Sequence, residues 1–140
     1  MSEMNRTWVL RHRPVGDVKE GDLELVETPL EPLKEGEVRA KTIYLSLDPT
    51  NRIWMSDIDA YLPPVGIGDA MRGGGLAVVV ESRHEGFQQG DVVNTGLGVW
   101  TMYPTLQGDG LAKLPMLPGV PLTAFMGPLG ATGMTAYFGL

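Results

Sequence analysis

Apolar and polar residues alternate with a period of two along much of the first 116 positions, which predicts a succession of half-buried strands. Residues 23–28 show it most plainly, with Leu23 and Leu25 set against Glu24 and Glu27, and Pro29 ends the run. Residues 7–14 predict an earlier strand that closes at the turn cluster Pro14-Val15-Gly16-Asp17. After Glu35-Gly36-Glu37, residues 38–47 predict a longer strand rich in Ile43, Tyr44, Leu45 and Leu47. Asp48-Pro49-Thr50-Asn51-Arg52 breaks it, because the residue before a proline is driven out of the α region. A loop over 61–69 follows. Met71-Arg72-Gly73-Gly74-Gly75 then leads into a strand over 76–81, whose Val78-Val79-Val80 is apolar on both faces, as in a buried barrel strand. Gly90-Asp91-Val92-Val93 opens another strand, and residues 110–116 predict the last short one.

From Pro121 the pattern changes to helical spacing. Leu122-Thr123-Ala124-Phe125-Met126 and residues 133–140 carry it, separated by Gly127-Pro128-Leu129-Gly130. The order predicts a mainly β fold, a partly open β-barrel with short helices, without internal repeats or a low-complexity linker. Met134, Tyr137 and Phe138 leave the final helix with an apolar face and little to pack on, the pattern expected of a chain cut before a further domain.

Composition narrows the functional classes. The 140 residues are 43% hydrophobic, enough for a core without staples, and the balance of 11 basic to 17 acidic residues gives a net charge of −6. That sign repels phosphate backbones, so no nucleic-acid partner is expected. No apolar run reaches the roughly 18–20 residues needed to span a bilayer, and no signal-peptide pattern opens the chain, so no membrane partner is expected. With no cysteine, disulfides and thiolate metal ligands are excluded, which suits a cytoplasmic location. His12 and His84 read as surface residues, and no Ser-His-Asp grouping or paired carboxylates can be assembled from the sequence.

Several stretches together resemble the zinc-independent medium-chain dehydrogenase/reductase superfamily, in its leukotriene B4 12-hydroxydehydrogenase, prostaglandin reductase and curcumin reductase branch. They are Tyr44-Leu45-Ser46-Leu47-Asp48-Pro49-Thr50-Asn51-Arg52-Ile53-Trp54-Met55, the glycine-rich turn Met71-Arg72-Gly73-Gly74-Gly75 with its strand to Glu81-Ser82, Gly90-Asp91-Val92-Val93, and Gly133-Met134-Thr135-Ala136-Tyr137-Phe138-Gly139-Leu140. Each motif alone is weak, but their order and spacing are specific and cover essentially the whole chain. The resemblance implies a GroES-like substrate-side domain over 1–120. It implies a helical connection over 121–140, the first helix leading to a Rossmann domain absent from this chain. It further implies NADP (NADPH) as cofactor, reduction of the activated double bond of a small-molecule enone or enal, a homodimer for the full-length protein, and a fragment inactive by itself. The zinc-dependent branch places its metal ligands near Ser46–Asp48 and Gly73–Gly74. No cysteine or histidine stands there, so no metal is expected.

By resemblance, Thr135 falls where relatives place a hydroxyl near the nicotinamide carboxamide, with Met134 beside it; one hydrogen bond there would fix the ring's face for hydride transfer. The alternative is that Thr135 bonds a carbonyl one turn back in its own helix. Pro49 and Thr50 fall on a turn bordering nicotinamide and substrate. Many relatives carry tyrosine at Thr50, so a wider or differently shaped pocket is expected. Asp48 is expected to cap local backbone donors and Arg52 to pair with a local carboxylate. Gly73, Gly74 and Gly75 either admit a ligand close to the backbone, with Gly74 on the substrate side, or form a sharp barrel corner needing positive φ; the corner is preferred. Trp54, Tyr61 and Trp100 are candidate flat walls for an enone, with Trp54 assigned to substrate, and each also fits ordinary core or lid packing. Gly127, Gly130 and Gly133 lack the G-x-G-x-x-G spacing and follow a helical segment, so they are not read as a phosphate loop. Two other readings stay open: a free-standing GroES-like binding or assembly module, and a quinone reductase-like enzyme.

Overall fold

The alternation over residues 23–28 becomes strand β2 (Leu23–Pro29), which pairs antiparallel with β1 (Met4–Leu10) from Met4 opposite Pro29 to Leu10 opposite Leu23. These elements belong to a computed structural model describing residues 3–140. The strand expected over 7–14 thus lies earlier in the chain. Pairing decides it: beyond Leu10 the N–H groups of Arg11 and His12 both turn to the Asp22 carbonyl, at 2.8 and 3.2 Å, and the ladder stops.

The remaining strands, β3 (Glu37–Leu45), β4 (Gly75–Ser82), β5 (Val92–Asn94), β6 (Thr105–Gln107) and β7 (Ala112–Lys113), form one antiparallel sheet in the order β6-β3-β4-β5-β7. Register shifts between Arg39 and Ala40 and between Thr42 and Tyr44 mark bulges in β3. Bulges bend the strand that carries them and increase its twist, which here curls the sheet. β6 has too few residues for a period and was not expected from the pattern.

Residues 98–104 close the seam between the curled sheet and the hairpin. On one side Thr42 and Ala40 donate to the carbonyls of Met102 and Pro104, at 2.9 and 3.0 Å. On the other, Trp8 donates to the Trp100 carbonyl at 2.9 Å and Met102 to that of Arg6 at 2.8 Å. Side chains reinforce the seam, with the Thr7 and Thr101 hydroxyls 2.7 Å apart and Asn5 bonded to Tyr103. Because an irregular segment and not a continuous strand ladder joins the two sheets, the result is the partly open barrel that the strand pattern predicts.

The core has two parts. Val38, Ala40, Ala77, Val79 and Val93 pack inside the sheet with Phe87, Leu106 and Leu111. Leu10, Trp54, Met55, Val65 and Met71 fill the space between the hairpin, the 62–71 loop and the helix α1 (Pro49–Trp54). That helix corrects the expectation of a plain turn. Pro49 at its first position has its φ preset for a helix and lacks an N–H that would have no partner there anyway. The Asp48 carbonyl then accepts the Asn51 N–H at 2.9 Å.

After β7 come a 3₁₀ helix (Leu122–Met126) and α2 (Ala131–Gly139), neither with a buried residue. On α2, Met134, Tyr137 and Phe138 are exposed, and the last two rings meet edge to face at 5.1 Å. Among the described residues no helix is long and apolar enough to cross a membrane.

One ion pair is expected to tie stability to pH. The Lys113 ammonium lies 2.7 Å from Asp91, whose carboxylate also accepts the Gln88 N–H at 2.9 Å. Lys113 first, and then that backbone bond, hold the Asp91 carboxyl below its ordinary value. A depressed carboxylate contributes stability that is present above about pH 4, its unfolded range, and lost as pH falls through the lowered folded value. Thermal melts should therefore show Asp91→Asn less stable than the parent at pH 7, with the gap closing in acid. Parallel curves down to the lowest pH would contradict the assignment.

Candidate functional site

Four segments converge on a cleft of about 270 Å³. The turn before α1 and α1 itself supply Ser46, Asp48, Asn51 and Trp54; the start of β4 supplies Gly74, Gly75 and Leu76. The end of β5 and the following turn supply Asn94, Gly96 and Leu97, and the helical tail closes the far side with Phe125, Met126, Ala131 and Thr132. Trp54, Leu97, Phe125 and Met126 make the lining largely apolar, with hydroxyl, amide and backbone groups at its edge.

Backbone approach shapes the wall. None of Gly73, Gly74 and Gly75 has a positive φ, so the preferred corner reading is corrected. Space is what requires glycine here. A Cβ on Gly73 would overlap the Trp100 indole, one on Gly74 the Gly96 carbonyl, and one on Gly75 the Tyr44 carbonyl. The left-handed residue of this site is Gly96, at φ 58°, which turns the chain back over Gly74.

Hydrogen bonds fix the opposite wall. Ser46 donates its N–H to the Gly74 carbonyl at 2.9 Å and its hydroxyl to the Asp48 carboxylate at 2.6 Å. Asn51, only 5% exposed, accepts the Asp48 N–H on Oδ1 at 2.6 Å and donates from Nδ2 to the Arg72 carbonyl at 3.2 Å. It thereby clamps the turn before α1 to the glycine-rich turn. The sequence reading passed over Asn51. The spacing Asp48-Pro49-Thr50-Asn51, with a polar amide three residues after a helix-capping residue, could have pointed to it.

Trp54 and Gly74 line the cleft. Pro49 opens α1, and the Thr50 hydroxyl lies 2.9 Å from that of Tyr61. Met134 and Thr135 sit further along α2, which meets the cleft through Ala131 and Thr132. The Thr135 hydroxyl donates to the Ala131 carbonyl at 2.8 Å, one turn back. Arg52 is corrected: it finds no carboxylate, and instead donates to the carbonyls of Pro14 and Gly16, at 2.8 and 2.9 Å, and to the Ser56 hydroxyl at 2.6 Å. Both histidines lie away from the cleft, His12 against the Gly21 carbonyl and His84 against Asp109. Among the described residues no three His, Cys, Asp or Glu side chains come together as a metal-binding group. The cleft pairs the Ser46 hydroxyl with the Asp48 carboxylate and has no histidine or lysine in its lining. Apolar walls with a polar edge suit the binding of a largely apolar molecule.

Comparison with known proteins bears on what that molecule is. Residues 6–114 match the family described as the N-terminal domain of oxidoreductase. The chain is 44% identical over 138 residues to the NADPH-dependent curcumin reductase of Escherichia coli (strain K12), covering 99% of this chain and 39% of that protein. It is 37% identical over 137 residues to prostaglandin reductase 1 of Mus musculus, covering 96% and 39%. The crystal structure of CurA from Vibrio vulnificus superposes with a TM-score of 0.85 at 36% identity, covering 97% of this chain and 40% of that one. CurA in complex with NADPH gives 0.84 at the same identity, covering 96% and 40%. The chain thus spans about two-fifths of the length of these relatives.

Proposed function

Because the chain belongs to the family of oxidoreductase N-terminal domains, we propose that it is the substrate-side domain of an NADPH-dependent reductase of activated carbon–carbon double bonds. The observation that carries this is the cleft itself. It is shaped by close backbone contacts, apolar on its walls and polar at one edge, as an enone requires. The domain runs over residues 1–120, and residues 121–140 connect it to a cofactor-binding domain. The whole protein is a cytoplasmic homodimer in this reading.

The residues fit one end of the cofactor. The cleft holds a nicotinamide-sized ring beside a small substrate. Its lining includes Asp48 but no lysine or arginine to meet phosphates, so the dinucleotide's charged part requires groups from elsewhere. When bound, NADPH would supply the hydride to the β-carbon of the enone, and a proton from solvent would complete the reduction at the α-carbon. Pro49 and Thr50, with Met134 and Thr135, border the nicotinamide; Thr50, Trp54 and Gly74 border the substrate. Thr135 spends its proton on the Ala131 carbonyl, so its oxygen is left to accept a hydrogen bond from an amide N–H. These contacts hold the reacting carbons in a near-attack geometry, from which most of the entropic gain in such a transfer comes. Metal-independence is supported by the lack of cysteine and of a clustered ligand set among the described residues.

Grafting residues 1–140 in place of the matching segment of the Escherichia coli curcumin reductase tests the reading directly. A folded chimera should oxidise NADPH in the presence of an enone, whereas the chain alone should not. A chimera that folds and binds NADPH but turns over no enone would refute the proposed role.

A further inference from the structure

Tyr61 is a surface tyrosine with both ends of its side chain engaged. The residue is 74% exposed, and its hydroxyl meets the Thr50 hydroxyl on the surface, 2.9 Å away. Thr50 and Trp54 are one helical turn apart on α1 and so share a face. Tyr61 lies along that face, its hydroxyl on Thr50 and its ring edge-on to Trp54 at 6.3 Å and 66°. Trp54 in turn lines the cleft.

The segment that carries Tyr61 is anchored behind it. The Val65 N–H donates to the Trp54 carbonyl at 2.8 Å, and Arg72 donates to the Pro63 carbonyl at 2.8 Å while its guanidinium stands 5.3 Å from the centre of the Trp54 ring. With one side of the loop pinned, the position of its tip is set by the Thr50–Tyr61 bond. An exposed ring held in this way presents a flat apolar surface next to Trp54, the cleft residue that it touches.

We propose that Tyr61, latched by Thr50, is a specificity-determining residue of the cleft, forming the outer wall against planar aromatic enones. The inference rests on the reductase reading for its substrate class but not for its geometry. A small aliphatic enone occupies the cleft without reaching the rim. An enone conjugated to an aryl ring extends outward and stacks on the phenol ring, where aromatic contact adds affinity. The Thr50 hydroxyl keeps the ring from rotating away, so the latch acts by positioning.

The test has a binding arm on this chain and a turnover arm on the chimera described above. In equilibrium dialysis with benzylideneacetone, Tyr61→Ala should raise Kd about tenfold, the scale of losing one apolar group from a pocket. Tyr61→Phe and Thr50→Val should each raise it about 2- to 10-fold, the worth of one hydrogen bond. Thr50→Ser, which keeps the hydroxyl, should restore the parent value. In the chimera, Tyr61→Ala should lower the ratio of kcat/KM for benzylideneacetone to that for methyl vinyl ketone about tenfold, a change that a merely structural defect would not produce. An unchanged ratio in an active chimera overturns the inference and leaves the reductase reading standing. Chain binding that depends on Tyr61 and Thr50, beside an inactive chimera, does the reverse. If the chain alone binds too weakly to measure, the chimera's ratio decides.

Discussion

Leu10→Ala should cost about 2–5 kcal/mol of folding stability, the range for a buried leucine that leaves a cavity. Leu10 is fully buried, packed with Trp54, Met55, Val65 and Met71 where the hairpin meets α1. Its backbone is committed on both sides, donating to the Asp69 carbonyl at 3.0 Å and accepting the Gly68 N–H at 2.6 Å, so the chain cannot slide inward to fill the void. Against a domain stability of about 5–15 kcal/mol, such a loss takes a large fraction. Equilibrium unfolding in urea would read it as a lower midpoint with an unchanged slope. Leu25→Ala is the control: 43% exposed on the neighbouring strand, it should stay within about 0.5 kcal/mol of the parent. Similar losses at both positions would mean that this cluster is not what fastens the hairpin to α1 and the 62–71 loop.

Asn51→Leu should be nearly as damaging and should act on the site as well. Leucine matches the amide in size but leaves the Asp48 N–H and the Arg72 carbonyl without their partners, at about 1–3 kcal/mol for each group that stays buried and unsatisfied. With the clamp gone, the turn carrying Ser46 and Asp48 and the turn carrying Gly73 and Gly74 can move apart. The expected result is a lower unfolding midpoint together with faster amide hydrogen exchange at residues 46–51 and 72–75. Asn51→Asp, which keeps the Oδ1 acceptor but not the donor, should fall between leucine and the parent. Exchange that remains as slow in Asn51→Leu as in the parent would show that the two walls are held by other contacts, Ser46 to Gly74 first among them.

How much of this was legible in advance varied with the kind of residue. Leu23, Leu25 and their acidic neighbours announced β2 because a half-buried strand must alternate, and Val78-Val79-Val80 announced a strand expected to be buried on both faces, of which Val79 is buried and Val78 and Val80 are half-buried. The turn at Asp48-Pro49 was visible as an interruption, yet its continuation as a helix was not, since six residues carry too short a period to read. The glycines were noticed for the wrong reason. Positive φ is a local property, whereas the contacts excluding a Cβ at Gly73, Gly74 and Gly75 come from Trp100, Gly96 and Tyr44, each more than twenty residues away. Arg52 likewise looked in need of a carboxylate, and the fold offered it the carbonyls of Pro14 and Gly16.

Strand content, the absence of thiolate chemistry, the helical tail and the family resemblance follow from residue type and spacing, so the sequence alone determined them. The closure of the barrel through residues 98–104, the clamp made by Asn51, the close glycine contacts and the meeting of Thr50 with Tyr61 were decided only in three dimensions. Each joins segments that no local pattern couples. Their energies come from backbone groups and side chains that must find partners once water is excluded, and which partner is within reach depends on how the strands have already paired.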